Sequence, residues 1–267
     1  MALLTLSNIH KTFEKGTVNE NHVLRGLDLD IEQGDFISVI GGNGAGKSTL
    51  MNSIAGVVDI DEGDILLEGE SIRKVSVAAR SKDISRVFQD PRMGTATNLT
   101  IEENMAIAYH RGKKRSFFKK SIIEQERELF KEILTELGLG LENRMKTDAA
   151  FLSGGQRQAL TLAMATLVRP KILLLDEHTA ALDPKTSDMV MHLTKKIVEE
   201  QELTTLMITH NMEHAIEYGN RLIMLYHGKI VVDVCGDEKK NLTVAQLMDL
   251  FHKNSGQALT DDALVLG

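Results

Sequence analysis

Tryptophan is absent from this 267-residue sequence, tyrosine occurs three times, and cysteine occurs once, as Cys235. A single cysteine cannot form an internal disulfide, which fits a reducing compartment, and its side chain is expected to be a small buried hydrophobe. A helix that crosses a bilayer needs about 20 apolar residues. The longest apolar candidates, such as residues 172–175, have only the length of a strand. The start of the chain lacks a charged segment followed by an apolar one, so no signal peptide is predicted.

An excess of acidic residues limits the partners further. Lysine and arginine number 31 and aspartate and glutamate 38, so the formal net charge is −7. This charge repels a polyanion, so nucleic-acid binding by the whole domain is not expected. The local exception is a basic segment, residues 110–120, which also carries two phenylalanines. It is typical of a solvated loop, and the alternatives are contact with anionic lipid headgroups or with an acidic partner.

The composition, with 42% hydrophobic and 26% charged residues, is that of a globular protein of one large domain or two unequal lobes. The predicted strands cover residues 3–9, 23–31, 36–40, 64–67, 172–175, 204–209, 221–226 and 229–234. The predicted helices cover about 47–56, 122–137, 157–168, 188–200 and 244–252. A mainly helical stretch from about 100 to 169 thus interrupts an α/β pattern with βαβ units, and the sequence ends in a polar tail.

Residues 41–48 read Gly-Gly-Asn-Gly-Ala-Gly-Lys-Ser and satisfy the phosphate-loop pattern G-x-x-x-x-G-K-[ST] between a predicted strand and a predicted helix. Glycines let backbone N–H groups turn toward a phosphate chain, and the helix start adds about half a positive charge. Lys47 would reach the terminal phosphates, and Ser48 would offer its hydroxyl to Mg²⁺. The alternative is a glycine-rich turn without a ligand. The predicted nucleotide-binding residues here are Gly41, Asn43, Gly44, Ala45, Gly46, Lys47, Ser48 and Thr49.

Two adjacent carboxylates, Asp176 and Glu177, follow the apolar run at 172–175. Sites in α/β proteins form where parallel strands end. Asp176 would hold Mg²⁺, directly or through water, and Glu177 would polarise a water for attack on the γ-phosphate. Acidic residues in this position are otherwise helix caps.

A second glycine motif, Leu-Ser-Gly-Gly-Gln at residues 152–156, precedes the helix predicted at 157–168. Ser153 is expected to cap that helix. Capping does not explain two consecutive glycines, Gly154 and Gly155, which permit close approach of a ligand. The motif, which ends in Gln156, therefore predicts a second anion site at a helix start.

These motifs, in this order, resemble the ABC ATPases over roughly residues 3–234, and residues 152–156 resemble the signature of that family. The resemblance implies an α/β fold: a P-loop NTPase core with a mixed β-sheet, an N-terminal antiparallel β subdomain and an inserted α-helical subdomain. The expected ATPase domain covers 1–240, with core and β subdomain at 1–98 and 165–240 and the helical subdomain at about 99–164. A short helix and tail follow at 241–267.

Four further positions match the family residue by residue. Gln89 resembles the glutamine that contacts Mg²⁺ or water and links the core to the helical lobe; the alternative is an exposed loop residue. Asp183 resembles an aspartate at the dimer interface, with helix capping before Pro184 as the alternative. His210 lies where the family has its γ-phosphate sensor, although a lone histidine is often structural. Phe13 resembles the aromatic that stacks on adenine, and a core phenylalanine is the alternative.

One departure concerns the residue after Glu177, which is His178 where most family members have proline. Histidine does not fix φ as proline does, so the rigidity of the backbone at this point is in question. This variant, together with residues 92–97 and 238–244, resembles the ATPase components of bacterial importers for amino acids, in particular for tryptophan-like solutes.

By resemblance, the protein hydrolyses Mg-ATP as a head-to-tail homodimer in which the signature of one subunit covers the nucleotide held by the other. It would drive solute uptake through separate permease subunits, served by an extracytoplasmic solute-binding protein, from the cytoplasmic face of the membrane. The rivals are a soluble ABC ATPase of translation or DNA repair, a separate-chain exporter ATPase, a GTPase and an inactive scaffold. Translation and repair proteins usually carry tandem cassettes or a long coiled coil, and a GTPase needs an N-K-x-D base reader; both features are missing.

Overall fold

The computed structural model describes residues 2–112 and 122–255. Most of the basic segment and the end of the predicted tail therefore lie outside the described residues. Contacts divide the chain into two compact units. The first unit comprises Met1–Arg80 and the chain from Thr204 onward, and the second comprises Ser81–Leu203. The boundaries proposed for a helical subdomain, about 99–164, remain a prediction.

Strands and helices alternate through most of the described chain. The strands are β1 (Leu4–Phe13), β2 (Asn21–Ile31), β3 (Phe36–Ile40), β4 (Glu62–Leu67), β5 (Glu70–Ser71), β6 (Ile84–Val87), β7 (Ile172–Asp176), β8 (Thr204–Ile208), β9 (Arg221–Tyr226) and β10 (Lys229–Cys235). The α-helices are α1 (Lys47–Ala55), α2 (Val77–Arg80), α3 (Ile101–Tyr109), α4 (Glu124–Glu136), α5 (Gly154–Thr166), α6 (Pro184–Glu200), α7 (Met212–Glu217), α8 (Gly236–Lys240) and α9 (Val244–Ser255). None of the helices in the described ranges is long and apolar enough to cross a membrane.

The first unit contains two sheets. An antiparallel sheet has the order β2-β1-β4-β5. The other is mixed, because β3 pairs in parallel with β8 and β9 while β9 and β10 are antiparallel. All five residues of β3 are buried, as expected for a parallel strand covered on both faces. The predicted α/β class, with a mixed sheet and an N-terminal antiparallel sheet, is confirmed.

Helix α1 is anchored at its C-terminal end by a buried guanidinium. Arg80 donates to the carbonyl oxygens of Ser53 and Ile54, at 2.8 Å each, and to Val75 at 2.9 Å. These bonds satisfy acceptors that a helix end leaves open, and burial lowers the pKa of Arg80. The chain reverses at Gly56, where an added Cβ would lie 2.8 Å from Arg80 Nε. Arg80 therefore fixes the C-terminal end of the helix that follows the glycine-rich loop.

The second unit combines a parallel pair of strands, β6 and β7, with helices α3 to α6. Apolar faces of α3, α4 and α5 enclose a common core, which explains the amphipathic spacing in this stretch. The fully buried members of this core include Ile101, Met105, Phe130, Leu134, Leu141, Ala149, Ala159 and Leu160.

Several local expectations need correction. Strand β6 was not predicted, because Ser85 and Arg86 interrupt its short apolar run. Helix α5 begins at Gly154 rather than at residue 157, because Ser153 supplies its cap, and α6 begins at Pro184 rather than at residue 188 for the same kind of reason. Cys235 is exposed rather than buried, because it falls on the outward side of the alternating strand β10.

Candidate functional site

The glycine-rich loop lies in the first unit between β3 and α1, and its backbone requires glycine. Gly41 has φ of 147° and Gly46 has φ of 107°, both in the region that side chains rarely adopt. A Cβ on Gly41 would lie 2.3 Å from the backbone oxygen of Leu225. The chain packs too closely there for any side chain, so the glycines allow the loop to fold tightly before the helix begins.

The start of α1 differs from the starts of four helices that carry a side-chain cap. The side chains of Thr100, Ser153, Asp183 and Asn211 cap α3, α5, α6 and α7, respectively. Helix α1 starts after Gly46 with no side-chain cap and no acidic residue in its first turn. Its first N–H groups and its positive dipole end are therefore suited to an external anion.

Lys47 is drawn into the loop that precedes it. Its side chain is only 6% exposed, and Nζ donates to the carbonyl oxygens of Gly41 at 2.6 Å and Gly42 at 3.2 Å. Ser48, the next residue, is exposed. The ammonium and the open helix start thus place positive charge on the same short segment.

The register of the parallel strands brings His210 to the level of this loop. Val39 of β3 pairs with Ile208 of β8. Gly41 and His210 each lie two residues beyond these partners, at the carboxyl edge of the sheet. His210 is half-buried there. The strand-end position inferred from the sequence is therefore observed, and it lies at the edge where α/β sheets form their sites.

Phe13 ends strand β1 in the first unit. Its ring is 37% exposed, and Lys11 Nζ lies 5.3 Å from the ring centroid. This exposure excludes the alternative of a core phenylalanine. An exposed ring next to a cation is compatible with stacking on a base.

In the second unit, the parallel pairing of β6 and β7 places Gln89, Asp176 and Glu177 at the carboxyl ends of these two strands. Val87 of β6 pairs with Leu175 of β7. Gln89 and Glu177 each follow two residues later, and Gln89 is exposed. Asp176, the last residue of β7, is half-buried. The structure thus brings together three of the residues singled out from the sequence.

Asp176 has a partner that the sequence did not reveal. Its carboxylate forms an ion pair with the guanidinium of Arg86 on the neighbouring strand, and both side chains are 14% exposed. The guanidinium carbon also lies 4.7 Å from the ring centroid of Phe88. Asp176 is therefore paired with a cation in this structure.

Glu177 adopts a strained backbone. Its φ is 47°, in the left-handed region, which non-glycine residues seldom occupy. The carbonyl of Glu177 accepts a hydrogen bond from Ala180 N at 2.9 Å, which closes a turn. Such strain costs of order 1–3 kcal/mol and is commonly found where a side chain must point in a required direction.

The second glycine motif forms a capped helix start. Ser153 Oγ accepts from Gln156 N, and Gln156 Oε1 accepts from Ser153 N, both at 3.2 Å. Capping by Ser153 is therefore confirmed, and Ser153 and Gly154 are exposed. Gly155 is buried, and a Cβ there would lie 2.3 Å from Thr186 Cγ2. The need for glycine at this position thus has a packing cause.

Asp183 caps α6 close to this motif. Its Oδ1 accepts from Thr186 N at 3.1 Å, and Pro184 occupies the first turn. The hydrogen bond from Thr186 lowers the pKa of Asp183, which stays ionised and exposed. Capping by Asp183 is observed, and Thr186 contacts both the Asp183 cap and the Gly155 position.

Two buried polar residues of α5 support these loops and were not identified as functional from the sequence. The Arg157 guanidinium donates to the carbonyls of Ala149, Ala150 and Leu152 at 3.0–3.2 Å, which holds the segment before the motif. Gln158 Nε2 donates to Phe88 O at 3.2 Å, one residue before Gln89. Polar residues on the buried face of a helix were the signal that could have revealed them.

Comparison with known proteins agrees with this arrangement. The family model described as ABC transporter matches residues 24–180, more than half of the chain. The chain belongs to the ABC transporter family, and it is one of the ATP-hydrolysing cassettes of that family.

Curated relatives extend the similarity to nearly the full length. A tyrosine transport ATP-binding protein of Clostridioides difficile is 44% identical over 249 residues, which cover 93% of this chain and 98% of that protein. The phosphonates import ATP-binding protein PhnC of Lactobacillus johnsonii is 33% identical and covers 98% of this chain and 100% of its own length. The methionine import ATP-binding protein MetN of Clostridium tetani is 33% identical over 96% of this chain and 73% of its own length.

Solved structures share the fold. The dimeric post-hydrolysis state of the ATP-binding cassette MJ0796 bound to ADP and Pi has a TM-score of 0.73 and 29% identity, and covers 87% of this chain and 98% of its own. The ADP conformation of the ABC transporter cassette MJ1267 has a TM-score of 0.76 and 27% identity, and covers 94% and 98%. The predicted P-loop fold and ATPase class are confirmed.

Proposed function

We propose that this ATPase powers amino-acid uptake through a separate membrane permease. The observation that carries the proposal is the 44% identity, over 98% of its length, to a tyrosine transport ATP-binding protein. A methionine import relative at 33% identity also handles an amino acid. Phosphonate uptake is the second candidate, supported by PhnC relatives at 33% and 32% identity.

In the first unit, the phosphate chain of ATP binds to the open N–H groups at the start of α1. The loop residues Gly41, Asn43, Gly44, Ala45 and Gly46, with Thr49 in the first turn, form this cradle, and Lys47 leaves its loop carbonyls to bind the terminal phosphates. Phe13 stacks on the adenine. His210, at the same sheet edge, donates to the γ-phosphate.

Ser48 in the first unit, and Gln89 and Asp176 in the second, each carry a side-chain oxygen of the kind that Mg²⁺ prefers. When bound, Mg²⁺ would neutralise charge on the phosphate oxygens. Asp176, which is paired with Arg86 in this structure, would be one of the residues that hold the metal. Glu177, with a side-chain direction set by its left-handed backbone, acts as the base for the attacking water, and Gln89 orients that water.

A second copy of the chain completes each nucleotide site. The exposed residues Ser153 and Gly154, with Gly155 and Gln156, meet the γ-phosphate held by the partner subunit, and Asp183 lies at the dimer interface. The cassette MJ0796, at 29% identity, was solved as a dimer with the products of hydrolysis. Exposed apolar side chains of the second unit, Met93, Ile107 and Phe151, suit a permease surface at the cytoplasmic face of the membrane. A solute-binding protein outside the membrane delivers the substrate.

The catalytic proposal is tested by Glu177→Gln. We expect unchanged ATP binding, measured by titration calorimetry, and loss of hydrolysis by about 10²-fold or more, because the amide cannot accept the proton of the water. The matched control is Glu202→Gln, since Glu202 is another glutamate of the second unit in the left-handed region, with φ of 49°. ATP hydrolysis by Glu177→Gln at the wild-type rate would show that Glu177 is not the catalytic base.

The transport proposal is tested by deleting the gene for this protein in its host and measuring the uptake of labelled tyrosine, methionine and methylphosphonate. We expect loss of amino-acid uptake, restored by the wild-type chain and not by Glu177→Gln. Loss of methylphosphonate uptake alone would favour the second candidate, and unchanged uptake of all three would contradict both.

A further inference from the structure

His178 follows Glu177 directly, where the resemblance to the ABC ATPases led us to expect proline, and its side chain is only 2% exposed. We propose that His178 is a positioning residue: its hydrogen bond to Thr194 fixes the backbone that aims the Glu177 carboxylate. The inference rests on the proposed role of Glu177 as catalytic base. All residues involved lie in the second unit.

The hydrogen bond has a defined direction. His178 Nε2 lies 3.0 Å from Thr194 Oγ1, and Thr194 Oγ1 donates to the carbonyl of Val190 at 2.8 Å. A hydroxyl has one proton, so Thr194 must accept the bond from His178. Nε2 therefore carries hydrogen, and the bond holds the ring in one orientation. Thr194 is fully buried, so no water competes for the bond.

The acceptor belongs to a rigid element. Thr194 lies in the middle of α6, a 17-residue helix whose start is capped by Asp183 and which carries proline in its first turn. Val190, Met191 and Thr194 face inward from this helix and are buried. A side chain bonded to this row is held to the body of the unit rather than to another loop.

The hydrogen bond between His178 and Thr194 compensates for the backbone strain at Glu177. Glu177 has φ of 47°, which the chain leaves for an ordinary conformation unless its surroundings prevent it. Proline would limit the backbone by its ring. The histidine ring does not close on the backbone. Here a buried hydrogen bond to a residue nearly three turns into α6 restrains the peptide instead. The loss of rigidity expected from the missing proline is thereby offset.

Loss of the bond has a specific kinetic consequence. Thr194→Val removes the acceptor with little change in shape and leaves a buried N–H unsatisfied. The Glu177 carboxylate then moves, and a displacement of about 1 Å in a catalytic group costs up to about 10²-fold in rate. Because Glu177 activates water rather than binding ATP, kcat falls while the KM for ATP stays constant.

The experiment measures ATP hydrolysis by the full-length chain over a range of ATP concentrations. We expect Thr194→Val to lower kcat about tenfold or more with KM within about twofold, and Thr194→Ser, which keeps the hydroxyl, to retain activity. The matched control is Thr166→Val, because Thr166 is also buried and its Oγ1 donates to Leu162 O at 3.0 Å within α5, without a histidine. It should lose comparable thermal stability and keep kcat.

A double-mutant cycle separates the hydrogen bond from general damage. His178→Phe keeps the ring volume and removes the donor, and the double variant with Thr194→Val should be no slower than the slower single variant. Additive losses, or wild-type kcat in Thr194→Val while Glu177→Gln is inactive, would overturn the inference and leave the proposed function standing. Hydrolysis by Glu177→Gln would instead overturn the proposed function itself.

Discussion

Gly155 offers a quantitative test of the packing between the second glycine motif and helix α6. A Cβ built on Gly155 meets Thr186 Cγ2 at 2.3 Å, far inside van der Waals contact, while its next neighbours, Met189 Cε and Thr186 Cβ, lie at 3.6 and 3.7 Å. The Gly155 backbone is helical, so alanine is not opposed by φ. The single collision with one methyl group is therefore the whole steric problem.

The expected magnitude follows from opposing effects. Overpacking a buried site costs about 1–3 kcal/mol, and replacing glycine by alanine within a helix recovers up to about 1 kcal/mol. Gly155→Ala should thus lower the free energy of unfolding by about 1–2 kcal/mol. Thr186→Ser removes the colliding methyl and, because Thr186 is half-exposed, should cost less than about 0.8 kcal/mol alone.

The decisive measurement is a double-mutant cycle by urea denaturation. The double variant Gly155→Ala/Thr186→Ser should unfold within about 0.5 kcal/mol of the wild type, because every remaining contact is ordinary. The Asp183 cap survives, since Thr186 donates to it through its backbone N. Stability losses that simply add, or no loss in Gly155→Ala, would refute the reasoning about Thr186.

Two further predictions concern buried charges. Without nucleotide, Arg86→Met should lower the free energy of unfolding by about 2 kcal/mol in urea denaturation, because Asp176 loses its ion pair. With Mg-ATP this loss of stability should be smaller, because Mg²⁺ restores a positive charge beside Asp176. Equal losses of stability in the two conditions would contradict the prediction. Burial lowers the pKa of Lys239 to about 8 from 10.5. Between these two pH values the unfolded chain therefore binds more protons than the folded chain, so the free energy of unfolding should rise with pH by up to about 3 kcal/mol. Lys239→Met should lack this rise. If the stabilities of the wild type and the variant changed with pH in parallel, the prediction would be wrong.

Local patterns predicted much of the fold because they report on burial. The mainly apolar strand β3, the continuous apolar run of β7 and the glycine-rich loop after residue 40 were placed correctly, since each is explained by neighbours in the sequence. Strand β6 escaped because its partners lie far along the chain: Val87 pairs with Leu175. A four-residue strand interrupted by arginine shows no periodicity of its own.

In the candidate site, too, local sequence predicted the positions of residues but not their long-range contacts. The positions of Asp176 and Glu177 at the end of a strand followed from sequence alone. The ion pair from Arg86 to Asp176 joins residues 90 positions apart, and only the register of parallel strands reveals it. The hydrogen bond from His178 to Thr194 likewise depends on how α6 packs, which no local pattern encodes.

Helix α5 begins with the glycines that are proposed to meet a partner's nucleotide, and in its second turn Gln158 holds the carbonyl of Phe88 beside Gln89. Less than two turns of rigid helix therefore separate the two loops. Whatever rotates this helix also pulls on the peptide before Gln89. In the proposed dimer, a rotation of α5 that follows ATP binding at the glycines would therefore also displace the peptide before Gln89.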